Sequence, residues 1–85
     1  NIMQVVEVRW GDAWVDTDDF SLKEAKKLKP IIRSTIGYLV SENSKSVVLC
    51  TDTFEKDKKT INTPMIIPTE MIIDYWVYEV VDDEV

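Results

Sequence analysis

Histidine is absent from these 85 residues, cysteine occurs once and glycine twice. Each scarcity removes some chemistry. Without histidine the chain lacks the commonest general base near neutral pH and the commonest transition-metal ligand, so no Ser-His or Cys-His nucleophile pair can form within it. A lone cysteine, Cys50, permits no intrachain disulfide and, with no histidine, no zinc site of the usual kind. With Gly11 and Gly37 as the only glycines there is no phosphate-cradling loop, which excludes nucleotide hydrolysis of the usual kind. No apolar run reaches the length of a membrane span, and no segment has the charged, apolar, small-residue order of a secretory leader. A reducing bacterial cytoplasm is the expected setting, with no membrane contact. Met3 reads as the initiator, preceded by Asn1 and Ile2 as vector residues.

What is present describes a globular domain. A hydrophobic fraction of 45% and three tryptophans argue against disorder, and 31% charged residues provide a solvated exterior. The length makes residues 1–85 one domain with a small core, since a chain of this size buries only about 60 to 65% of its unfolded surface. The formal net charge of −6 disfavours binding to a phosphate backbone, so nucleic acid is not an expected partner.

The organising stretch runs from Pro30 to Thr51. Ile31, Ile32, Ile36, Tyr38, Leu39 and Val40 form a long β-branched and aromatic run without interior proline, which predicts a strand. Glu42 to Lys45 are turn-prone, and Val47 to Cys50 return antiparallel. Gly37 interrupts the first strand where a side chain would pack, marking a bend at which one strand serves both halves of a curled sheet.

Before this hairpin, Gln4 to Trp10 alternates, with Val6, Val8 and Trp10 on one face and Val5, Glu7 and Arg9 on the other. A polar loop plugged by Trp14 follows. Ser21 and Glu24 have the spacing of a capping box, Phe20 and Ala25 that of a hydrophobic staple, and Pro30 closes a helix of about two turns over Leu22 to Leu28. This helix is expected to cover one opening or edge of the sheet.

After the hairpin, Thr53 to Asn62 reads as a mobile charged loop. Met65 to Ile67 form a short strand between two prolines, and Thr69 caps a single turn through Met71. Ile72 to Val80 form the last strand, followed by a solvated acidic tail over residues 82–85. The expected fold class is therefore mainly β. It is a five-stranded SH3-like or Sm-like small barrel with one short α-helix between strands 1 and 2; the alternative is an open antiparallel sheet with the helix on one face.

The segments Val6 to Asp12, Leu22 to Leu28, Gly37 to Val40, Val47 to Leu49 and Ile67 to Ile72 also form a pattern. It is an apolar strand ending near a tryptophan and an acidic residue, a short helix, a G-x-L-V … V-V-L hairpin and an I-P-x-x-x-I close. In this the chain resembles a loose family of short uncharacterised proteins encoded by bacteriophages and prophages. The resemblance implies a small accessory protein acting in a host cytoplasm and transfers no catalytic residue. The charged stretch Glu55 to Lys59 has no counterpart in the pattern.

Candidate sites follow from side-chain type. Cys50, in an apolar strand, reads as a small core hydrophobe and not a reactive thiol. Asp12, Asp16, Asp18 and Asp19 match no calcium-loop register, and no carboxylate pair stands out, so neither a metal, a cofactor nor an enzymatic activity is assigned. Lys23, Lys26, Lys27, Lys29 and Arg33 form the only basic cluster and are the anion-binding candidates. In the last strand Ile73, Tyr75 and Val77 share one face, and Ile72, Trp76 and Tyr78 the other. A small barrel has one interior, so the second apolar face must meet the helix, the Trp14 loop or another molecule. Trp14, Ile72, Trp76 and Tyr78 are the partner-binding candidates.

The resulting expectation is a non-enzymatic, self-associating binding protein of phage or prophage type, working by protein–protein contact with its own copies or a host protein, with counter-defence as its most concrete role. One alternative is an oligomer that sequesters a small anionic ligand, a nucleotide or signalling molecule, between Arg33, the lysines and an aromatic residue. Another is an acidic nucleic-acid mimic that inhibits a host enzyme.

Overall fold

A computed structural model describes residues 2–54, 56–57 and 59–82, with the backbone alone at 2–3 and 79–82. Among the described residues seven strands form: β1 (Ile2–Asp12), β2 (Ile31–Glu42), β3 (Ser46–Cys50), β4 (Asp52–Thr53), β5 (Ile61–Asn62), β6 (Met65–Pro68) and β7 (Ile72–Asp82). One helical turn, α1 (Leu22–Ala25), lies between β1 and β2, and a 3-10 turn (Thr69–Met71) joins β6 to β7. The main sheet is antiparallel with five strands in the order β6-β3-β2-β1-β7; β4 and β5 pair separately. The protein is thus mainly β, and among the described residues no ladder joins edge strand β6 to edge strand β7.

β2 is the hinge of the sheet. Its residues 31–38 pair with β1, whereas Tyr38 to Glu42 pair with β3, and the register shifts between Leu39 and Ser41. Gly37 sits at the changeover. It is buried, and a Cβ added there would lie 2.7 Å from the carbonyl oxygen of Cys50. The absence of a side chain lets the two strands approach as the sheet curls.

The curl brings Val6, Val8 and Trp10 of β1 against Val47 and Leu49 of β3 and Ile67 of β6, with Leu39, Ile72 and Tyr75 packed around them. These positions alternate along each strand, as one buried face of a pleated sheet requires. The Trp10 indole donates to the Thr35 hydroxyl at 2.9 Å, which satisfies its one polar atom inside the core.

The turns follow local chemistry. Asn43 Oδ1 accepts from the backbone N–H groups of Lys45 and Ser46, so its side chain shapes the β2–β3 turn. The Thr69 N–H reaches the Lys45 carbonyl and ties the 3-10 turn to that hairpin.

Three expectations are corrected. The helix spans Leu22–Ala25 instead of running on to Leu28: the N–H groups of Lys27 and Leu28 turn back to the carbonyls three residues earlier, and Pro30 disfavours helix in the residue before it. The Ser21 hydroxyl caps the Glu24 N–H at 3.1 Å, but the Glu24 carboxylate accepts from that hydroxyl and not from the Ser21 backbone. Nor does the helix cover the sheet, since none of its residues is buried and Leu22 is 82% exposed. A helix this short has little stability of its own and no apolar face docked here to supply more.

The second correction is the 53–62 loop, which carries the small β4–β5 pair; residues 55 and 58 lie outside the described residues, as does the acidic tail after Asp82. The third concerns facing in the last strand. β7 slips register against β1 between Val5 and Val6 and again between Arg9 and Trp10, so strict alternation fails and Ile72 joins Tyr75 at the core.

The molecule is elongated, with extents of 58 × 22 × 19 Å. Its radius of gyration is 16.7 Å; a compact domain of this length has about 12 Å.

Candidate interaction surface

The face of the β2–β1–β7 half turned away from the core carries the residues that alternate with it. In register, Glu7 of β1 lies between Ile36 of β2 and Trp76 of β7, and Arg9 lies between Ser34 and Asp74. Directly opposed residues of an antiparallel pair share a face, so these six form two rows on one surface. Tyr78 joins them at the slip in β7, where its hydroxyl bonds the Glu7 carboxylate.

Glu7 accepts from the hydroxyls of Ser34 and Tyr78 through its two oxygens. The Ser34 bond, with that from Tyr78 second, holds the Glu7 carboxyl below its ordinary range, because both donors favour the charged form. The same contact acts oppositely on Tyr78, whose phenol is pushed up chiefly by its bond to Glu7. Arg9 and Asp74 form an ion pair at 3.0 Å. Around this polar centre the apolar side chains stay open to solvent: Trp76 is 43%, Ile36 56% and Tyr78 63% exposed. Neither α1 nor the Trp14 loop covers them.

The partner-binding candidates therefore separate. Trp76 and Tyr78 stand together on this face, and Ile72 packs against the core. Trp14 belongs to the loop after β1, where its indole donates to the Lys29 carbonyl at 2.6 Å beside Phe20 and Leu28, around a pocket of about 370 Å³.

The anion-binding candidates do not converge either. Lys23, Lys26, Lys27 and Lys29 all lie exposed on α1 and the turn after it, and only Lys29 lines the Trp14 pocket. The Arg33 Nε is held by Asp12 Oδ2 at 2.5 Å, so its charge is already partnered. Among the described residues no group of three or more His, Cys, Asp or Glu side chains could hold a metal ion, and no helix is long and apolar enough to cross a membrane.

Sequence reasoning missed Ile36 and the Glu7 network. The outward facing of Glu7 and Arg9 was legible from alternation, but linking them to Ile36 and Trp76 requires the cross-strand register, which strand patterns do not supply.

Comparison of the chain with protein-family models, curated proteins and solved structures finds no match. The phage resemblance accordingly stands on residue spacing alone.

Proposed function

We propose that this chain is a non-enzymatic binding protein that self-associates and works by protein–protein contact, on a small barrel of the SH3-like or Sm-like kind. The observation that carries the reading is the β2–β1–β7 outer face, which bears Ile36, Trp76 and Tyr78 and is covered by no other part of the described chain. Of the three possible covers for the second apolar face, the helix and the Trp14 loop both lie elsewhere, which favours another molecule. Tryptophan and tyrosine suit this role because they give large contact area from stiff side chains.

The barrel assignment draws on the strand order, on a β2 shared between two halves of the sheet and on the 3-10 turn between β6 and β7. The setting comes from the resemblance to phage and prophage proteins: the cytoplasm of a bacterial host, with counter-defence as the concrete role and a host protein as a further target.

Native mass spectrometry of protein gently purified from bacterial cytoplasm tests the reading. A multimer without added small-molecule mass is expected. A bare monomer with no bound protein counts against self-association, and a multimer that retains a small anionic ligand transfers support to sequestration.

A further inference from the structure

Resting on the self-association reading above, we infer that the molecule covering the outer face is a second copy of this chain, packed face to face about a two-fold axis, with Ile36, Trp76 and Tyr78 at the contact centre. Two observations show surface left for a partner, and the charge pattern between them favours a copy.

The first is area. The chain exposes 6771 Å². A compact monomer of its mass exposes about 5,200 Å², so the excess exceeds the roughly 800 Å² that each partner contributes to a standard interface. Among the described residues, the buried apolar core reduces to Val6, Val8, Trp10, Val47, Leu49, Cys50 and Ile67.

The second is the charge pattern. Glu7 and Arg9 stand on one face of β1, two residues and so about 7 Å apart. A two-fold axis running across the strands between them places Glu7 over the second copy's Arg9 and Arg9 over its Glu7. An axis along the strand would instead oppose Glu7 to Glu7. The face is thus complementary to itself in one orientation, as an isologous interface requires. Within the chain Arg9 is paired with Asp74 and Glu7 is held by two neutral hydroxyls, so the carboxylate of Glu7 is the charge that docking must offset, and the second copy's Arg9 is placed to do so.

The third is the ribbon at one end. Beyond Val5, where β2 leaves to pair with β3, Ile2 to Gln4 pair only with Val80 to Asp82. A two-stranded ribbon is marginal alone. A second copy laid antiparallel along β1 would extend contact over it.

Sedimentation velocity on the full chain over a range of concentrations tests the proposal. The unaltered protein should sediment as a dimer. Ile36→Glu and Trp76→Glu should each weaken dimerisation at least about tenfold. Ile66→Glu, a change at an exposed residue on edge strand β6, should leave it unchanged. An assembly indifferent to the first two changes but broken by Ile66→Glu would overturn this face and leave self-association standing. A monomer throughout would overturn both. Should either variant misfold by circular dichroism, hydroxyl-radical footprinting of the unaltered chain decides. Trp76 and Tyr78 should become protected as concentration rises while Trp14 stays reactive, and equal reactivity of Trp76 and Trp14 at all concentrations would refute the interface. Protection that appears only when a different protein is added would assign the face to that protein and refute the second copy.

Discussion

Replacing Gly37 with alanine isolates the feature on which the curl of the sheet depends. In an ordinary strand the change is favourable by roughly 0.5–1 kcal/mol, because alanine has less backbone freedom to lose than glycine. Here the new methyl would stand 2.7 Å from the Cys50 carbonyl oxygen and 3.6 Å from the Leu49 Cβ. The first contact is with backbone, which has no rotamer to yield, so β2 or β3 must move. Overpacking of this kind costs typically 1–3 kcal/mol. The clash therefore outweighs the entropic gain, and the net loss should be about 1–2 kcal/mol. For a domain of this size each kcal/mol lowers Tm by about 4–8 °C. The shift can be read by thermal and urea denaturation of the unaltered and Gly37→Ala proteins at equal concentration, since an assembling protein gains stability with concentration. A variant as stable as the parent, or more so, would refute the close approach of β2 and β3 and with it the account of how one strand serves both halves of the sheet.

Three further outcomes are expected. Thr35→Val removes the acceptor of the Trp10 indole N–H inside the core and should cost about 1–2 kcal/mol in urea denaturation, with the near-ultraviolet signal of Trp10 altered; a neutral result would mean that the indole finds another acceptor. The Glu7–Tyr78 contact needs an ionised carboxylate and a protonated phenol. Because the Glu7 carboxyl is lowered on folding, its contribution is complete above its ordinary value near 4.5 and is lost as pH falls through the folded value; because the Tyr78 phenol is raised above 10.0, its contribution holds below that pH and is lost as pH rises through the folded value. Stability against pH should thus fall on both flanks, and Tyr78→Phe should reduce both slopes; unchanged slopes would refute the pairing. Cys50 is 1% exposed, with its thiol pushed up first by burial and then by the Asp52 charge, so a thiol reagent should modify it only on unfolding; rapid modification of the folded protein would contradict its burial.

Much of the sheet was legible because strand signals here are local. Alternation in Gln4 to Trp10, the turn at Asn43, the prolines flanking Met65 to Ile67 and the single turn at Thr69 each act within a few residues, and each reappears in the structure. The helix stops short of its sequence signal for the converse reason. Capping geometry at Ser21 starts a helix, but its continuation depends on an apolar face finding something to bury against, and Leu22 finds nothing. The β4–β5 pair was invisible because two-residue strands carry no periodicity.

The candidate surface was half legible, and the missing half shows what kind of information a face requires. Trp76 and Tyr78 can be placed outward because Tyr75 and Val77, which alternate with them, are also apolar, which forces a choice of sides. Counting in twos puts Ile72 on the same side, and the slip opposite Trp10 reverses that count. Ile36 could be recognised as a strand residue but not as a neighbour of Glu7, since that relation is set by how far β2 runs before Gly37 lets it leave β1 for β3. The close approach at Gly37 thus fixes two things at once. It closes the core over Val6 and Val8, and it fixes which β2 side chains remain beside Glu7 and Trp76 on the outside. If the proposed two-fold contact forms, Gly37→Ala should therefore weaken dimerisation in sedimentation velocity as well as lower stability, although no side chain there reaches the outer face.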